Sequence, residues 1–174
     1  MLNIKVICVG RLKEKFYTDA ANEYIKRLSA YCKLEVAEIQ ESAAPRETGD
    51  KPREAGDEGT VALGAQLEAA LRKEGASIKA NIPTGAMTVA LCPEGLELDS
   101  IKFSKLLTDY AGRGVSRLCF IIGGSNGLDE SVKNASGTKL SLSQMTFPHN
   151  LARIILLEQL YRALNIAAGG KYHK

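Results

Sequence analysis

Short apolar runs alternate with longer segments of helical spacing along this chain, and that alternation restricts what it can fold into more than any single motif does. NIKVICVG is a β-branched run closed by Gly10. In LKEKFYTDAANEYIKRLSAY the residues Phe16, Ala20, Tyr24 and Leu28 recur at helical spacing, and KLEVAEIQ then alternates apolar and polar side chains. After Ser42 the composition turns to Ala, Pro, Gly and mixed charge, so the segment 42–60 reads as a surface excursion. A helix near Val61 to Ala80 follows, then AMTVALCP as a strand, LDSIKFSKLLTDYAGRG as a helix with Asp99 or Ser100 at its N-cap, and SRLCFIIGG as a further strand. Strands that keep returning through helices form a mostly parallel sheet with helices on both faces, an α/β fold. The 174 residues suit one such domain spanning 1–174. Ligands are expected where strand carboxyl ends meet the next loops: after Leu91, after Ile122, and in TKLSLSQMTF ahead of the last helix.

FIIGGSNGLDESV runs from a buried strand into Gly123 and Gly124, with Gly127 ahead of a helix. The spacing is neither G-x-G-x-x-G nor G-x-x-x-x-G-K-[ST], which leaves a dinucleotide fingerprint and a P-loop without support. Two readings stay open, a tight strand-to-helix turn or a place where backbone approaches a ligand with no Cβ in the way.

The last helix opens at Pro148. At about 100° per residue, Glu158, Gln159, Arg162 and Asn165 form one polar stripe, expected to face solvent, about 120° to 240° round from Arg153. His149 and Arg153 fall on the opposite side with Leu156, Leu157, Leu160 and Leu164. A guanidinium placed there must be paired or face a cleft or partner, since burying it alone is strongly unfavourable. It either caps another element's carbonyls or pairs with a carboxylate, or it meets an anionic ligand. His149 stands where a helix disfavours a cation and welcomes an anion, which favours the ligand. The terminal GGKYHK, with Tyr172 and His173, is either a frayed end or an arm that delivers an aromatic ring and an imidazole to a site.

Composition narrows the chemistry. Cys8, Cys32, Cys92 and Cys119 make no Cys-x-x-Cys pair and read as core residues of a reducing compartment. With two histidines in the chain, no metal site is expected. Neither G-x-S-x-G nor H-E-x-x-H occurs, which disfavours hydrolysis. The net charge of +3 permits an anionic partner without demanding one; Arg11, Lys13, Lys15, Lys26, Arg27 and Lys33 cluster early in the chain. MLNIKVICVG lacks the features of a signal peptide, and no run approaches the ~18 apolar residues of a membrane span, so a cytoplasmic location without membrane partners is expected.

Together, VICVGRLKEKFY with EYIKRL, FIIGGSNGLDESV, LSLSQMTFPHNLARIILLEQLYRALNI and the terminal YHK resemble the RlmH-type methyltransferases that act on pseudouridine in large-subunit ribosomal RNA, members of the SPOUT superfamily. The resemblance runs through the chain apart from 42–60. It implies a SPOUT-type α/β domain with a trefoil knot in its C-terminal part, a homodimer, and S-adenosyl-L-methionine as cofactor. The cofactor would lie against three loops, at Leu91, at Gly123 and Gly124, and at Leu142, Ser143, Gln144, Met145, Thr146 and Phe147. His149 and Arg153 would form the catalytic side, joined by Tyr172 and His173 from the partner subunit's tail. The implied reaction is methylation of N3 of a pseudouridine in 23S ribosomal RNA, in the assembled ribosome. A non-catalytic ribosome-binding or RNA-binding module of the same fold, and a SPOUT enzyme acting on another RNA, are the alternatives. Methyl transfer to N3 needs the imide without its proton, a form favoured by hydrogen bonds or positive charge at the flanking carbonyl oxygens. Arg153 is expected to stabilise that charge, and His149 or His173 to handle the proton.

Overall fold

A computed structural model describes residues 1–43 and 58–172. In chain order the elements are β1 (Leu2–Val9), α1 (Lys15–Leu28), β2 (Cys32–Ile39), α2 (Glu58–Asn81), β3 (Met87–Glu97), α3 (Ser100–Gly112), β4 (Arg117–Ile122), α4 (Glu130–Ala135), β5 (Thr138–Ser141) and α5 (His149–Ala167). The strands form one sheet in the order β2-β1-β4-β3-β5, and every neighbouring pair is parallel. Most of the 42–60 excursion expected from composition falls on residues 44–57 and lies outside the described residues.

Helices cover both faces, as the unbroken apolar runs of the central strands require. Ile4, Val6, Cys8, Val89, Leu118, Phe120 and Ile122 face α1, α3 and α5, where they pack with Leu28, Phe103, Leu107, Leu156 and Leu160. The intervening residues Ile7, Val9, Ala90, Cys119 and Ile121 face α2 and α4, against Ile78, Leu128 and Val132. All four cysteines are free and buried. Asp99 caps α3 by accepting from the Lys102 amide at 2.7 Å, and Asp129 caps α4 through the Ser131 amide.

Three features differ from the sequence reading. β3 runs on to Glu97, because Leu140 pairs with Leu91 and again with Leu96 while the residues between bulge out of register. Gly95 allows that return: a Cβ there would lie 2.5 Å from the Leu140 carbonyl carbon. The segment TKLS, taken as loop, is the edge strand β5. The polar stripe of α5 is only partly open to solvent, because α5 is wedged between α1 and α3. Gln159 accepts from Ser100 at 2.8 Å, and Asn165, 8% exposed, donates to the Tyr31 hydroxyl at 2.8 Å.

Candidate active site

The bulge of β3, the carboxyl ends of β4 and β5 and the first turn of α5 border a cavity of about 600 Å³, within the usual range for small-molecule sites. Its walls are Leu91 to Pro93, Ile122 to Ser125 with Gly127, Leu140 to Ser143, Met145 to Pro148, and His149 with Ala152. Leu91, Gly123, Gly124, Leu142, Ser143, Met145, Thr146 and Phe147 therefore border one space, whereas Gln144 is exposed and does not border it. The β5–α5 loop is held by its own serines: Ser141 donates to the Ser143 carbonyl at 3.0 Å, and the Ser143 hydroxyl accepts from the Met145 amide at 3.0 Å.

At the β4 turn, Gly127 donates its amide to the Gly124 carbonyl at 3.1 Å, with φ at +82°. A Cβ on Gly123 would run into the Gly127 carbonyl, and one on Gly124 would lie 2.9 Å from both Val9 Cγ1 and Glu41 Oε1. Turn packing thus accounts for both glycines, and their backbone still borders the cavity. Glu41 ties this turn to the end of β2 by accepting from the Ser125 amide at 2.8 Å. The Ser125 amide and hydroxyl hold its carboxyl below the usual carboxylate range, helped by His149 and Lys13.

α5 starts without a side-chain cap and with no acid in its first turn, so its partial positive end is unneutralised beside the cavity. The imidazole of His149 rests on the turn after β1, where a Cβ on Gly10 (φ +90°) would lie 3.1 Å from His149 Nε2. Arg153, one turn further on, is only 2% exposed and does not border the cavity. Its Nη1 donates to Glu38 Oε1 at 2.6 Å and its Nη2 to the Gly10 carbonyl at 2.8 Å, while Nε has no partner among the described residues. Of the alternatives open for this guanidinium, the contacts seen are carboxylate pairing and carbonyl capping. The neighbouring Cys8 thiol is pushed up to about 12, chiefly by burial, which leaves almost no thiolate to react.

Glu38 was missed from sequence, although a signal existed. Cys32, Leu34 and Val36 point to the α1 and α5 face of the sheet, and Glu38 continues that register, a carboxylate where the alternation calls for an apolar side chain.

Tyr172 lies elsewhere within the single chain. Its amide donates to Asn165 Oδ1 at 3.1 Å, its ring meets Tyr161 edge-on at 4.8 Å, and the Arg162 guanidinium sits 4.5 Å from its centroid. Tyr161, on which this ring packs, is about 18 Å along α5 from His149, well away from the cavity. His173 lies outside the described residues. Among the described residues, no group of three or more His, Cys, Asp or Glu gathers to hold a metal, and no helix is long and apolar enough to cross a membrane.

The sequence model of the family described as "Predicted SPOUT methyltransferase" matches residues 2–173. Full-length relatives named ribosomal RNA large subunit methyltransferase H include those of Clostridioides difficile (strain 630), 41% identical over 99% of this chain and 100% of the relative. The protein of that name from Bifidobacterium animalis subsp. lactis (strain AD011) is 42% identical with the same coverage. Among solved structures, a probable methyltransferase from Bordetella pertussis Tohama I aligns with a TM-score of 0.53 at 16% identity, covering 94% of this chain and 96% of that one. A probable methylase family protein from Haemophilus influenzae Rd KW20 aligns at 0.54 and 12% identity, covering 99% and 71%. At these identities the two structures speak for the fold alone.

Proposed function

The chain belongs to the SPOUT methyltransferase family, and from that premise we propose that it transfers a methyl group from S-adenosyl-L-methionine to N3 of a pseudouridine in 23S ribosomal RNA, as a cytoplasmic homodimer acting on the assembled ribosome. One observation carries the reading: a cavity at the β3 bulge and the carboxyl ends of β4 and β5 opens on His149, in a chain whose full-length relatives are named for methylating large-subunit ribosomal RNA. A trefoil knot in the C-terminal part belongs to the same proposal and rests on the family membership.

The residues present fit the cofactor. Leu91, Leu142 and Phe147 offer apolar surface, the Gly123 to Ser125 turn offers backbone groups, and the uncapped start of α5 suits a carboxylate. Ser143, Gln144, Met145 and Thr146 complete the loop that would close over it. When bound, the cofactor supplies a methyl group already activated on a sulfonium. The chain's own residues then have to hold the base in line and keep N3 without its proton. His149, at the cavity wall, donates to a carbonyl oxygen flanking N3 or accepts the N3 proton. Arg153 places a buried positive charge one turn behind it. Tyr172 and His173 come from the tail of the second subunit, since Tyr172 of the same chain is held at the far end of α5.

The test is to incubate the protein with radiolabelled S-adenosyl-L-methionine and whole ribosomes, free 23S ribosomal RNA or transfer RNA, and then to map the labelled nucleotide. Label at N3 of a single 23S pseudouridine, best in whole ribosomes, is expected. A protein that neither incorporates label nor binds the cofactor in calorimetry would end the proposal; label in transfer RNA alone would redirect it to another RNA.

A further inference from the structure

We propose that Glu38 is a positioning residue for this methyl transfer: it holds Arg153 and the Gly10 turn, and through them sets where the imidazole of His149 stands at the cavity wall. The inference rests on the methyl-transfer reading of the cavity.

The contacts form a closed chain. Glu38 Oε1 accepts from Arg153 Nη1 at 2.6 Å, and Arg153 Nη2 donates to the Gly10 carbonyl at 2.8 Å. The same carboxylate oxygen lies 3.4 Å from the Leu12 amide, so the turn between β1 and α1 is gripped on both sides of Arg11. That turn is the surface on which His149 rests, with Gly10 in a left-handed conformation that leaves no room for a Cβ beside Nε2. His149 and Arg153 are one turn apart on α5, and the helix closes the circuit.

A pair serving stability alone could be replaced by apolar side chains of similar volume. Here both partners of the pair also bond to the turn that carries the imidazole. Glu38 is the carboxylate that Arg153 meets among the described residues, and its side chain is 35% exposed, open enough to be substituted without collapse of the core. The other groups near this cluster are committed elsewhere: Glu41 to the Ser125 amide, and Cys8 as a buried neutral thiol; Lys13 adds positive charge near Glu41.

The experiment compares Glu38→Gln, which keeps size and an acceptor oxygen but removes the charge, with Glu38→Asp and with Glu35→Gln, an exposed position on the same strand whose carboxylate pairs with Lys5. Read-outs are kcat and KM for ribosome methylation across pH, cofactor affinity by calorimetry, and the imidazole resonances of the chain's two histidines, assigned with His173→Gln. In Glu38→Gln, kcat is expected to fall by about 10- to 100-fold with KM and cofactor affinity within about twofold of the parent, since small misplacements at a reacting group have effects of this size. The His149 resonance and the pH profile shift, the His173 resonance stays, Glu38→Asp recovers part of kcat, and Glu35→Gln changes nothing. In an Arg153→Gln background the effect of Glu38→Gln vanishes, because the carboxylate acts through the guanidinium.

An unmoved His149 resonance, an equal loss in Glu35→Gln, or additive losses with Arg153→Gln would overturn the proposal. If Glu38→Gln fails to fold, Glu38→Asp decides it on the same read-outs. If the parent protein transfers no methyl group, the functional reading has failed on its own, and the His149 resonance still decides whether Glu38 positions it.

Discussion

One turn into α5 the partners of Arg153 come from the ends of two strands of the same chain; towards the other end of the helix, Tyr161, Arg162 and Asn165 hold Tyr172 by a few contacts. Arg153 is 2% exposed, with a carboxylate and a carbonyl as partners. Tyr172 is half-buried, held by one backbone hydrogen bond, one ring contact and one guanidinium. In the proposed dimer, the difference separates what one copy of the chain assembles by itself from what it would lend to the other. A buried guanidinium held by a carboxylate and a carbonyl is hard to displace, whereas a tail held by a few exchangeable contacts can be released at small cost.

The comparison breaks most visibly at Arg153. Arg153→Ala leaves the Gly10 carbonyl and the Glu38 carboxylate without their guanidinium, and a loss of about 3 kcal/mol is expected in urea unfolding, the low end for a broken buried pair because Glu38 is partly solvated. A loss below about 1 kcal/mol would place this end of α5 in the same class as the tail.

Asn165→Ala sharpens the contrast at the other end. It removes the bonds to the Tyr172 amide and the Tyr31 hydroxyl, for an expected loss of about 1–2 kcal/mol. Proteolytic cleavage after Lys171 should accelerate while cofactor affinity stays unchanged. Combining the two substitutions should give the sum within about 0.5 kcal/mol, because the sites share no partner.

The smallest effect is expected at Glu41. Its carboxyl is held below its ordinary value of 4.5, so the bond to Ser125 adds stability above that value and loses it as pH falls through the depressed pKa. Glu41→Gln should therefore be modestly less stable than the parent at neutral pH, with the two unfolding curves converging as pH falls through that depressed pKa.

The alternation of strand and helix was legible because β1 and β4 are buried on both faces and so carry unbroken apolar runs. The loops at the strand ends that border the cavity could be named for the same reason. β5 could not: four residues, two of them Thr and Lys, pair along one edge, too short a stretch to show a period. The face of α5 that holds His149 and Arg153 was readable from 3.6-residue geometry, but the partners of Arg153 were not. Glu38 and Gly10 lie more than a hundred residues away in sequence, and only the reach of Arg153 from α5 to the ends of β1 and β2 makes a carboxylate at that register meaningful. The polar stripe misled because polarity was equated with solvent, whereas Gln159 and Asn165 bond to α3 and to Tyr31.

The sheet order also sets a timetable for the newborn chain. β1 finds β2 early, with Leu2 beside Cys32, but its other edge is filled only by β4, where Asn3 meets Arg117. A polypeptide emerging amino end first thus carries a bare, strongly apolar strand edge through most of its synthesis. Every strand pairing is parallel and non-local, a topology that slows folding. The pocket itself, walled by β4, β5 and the start of α5, comes into being only when the last third of the chain has been delivered.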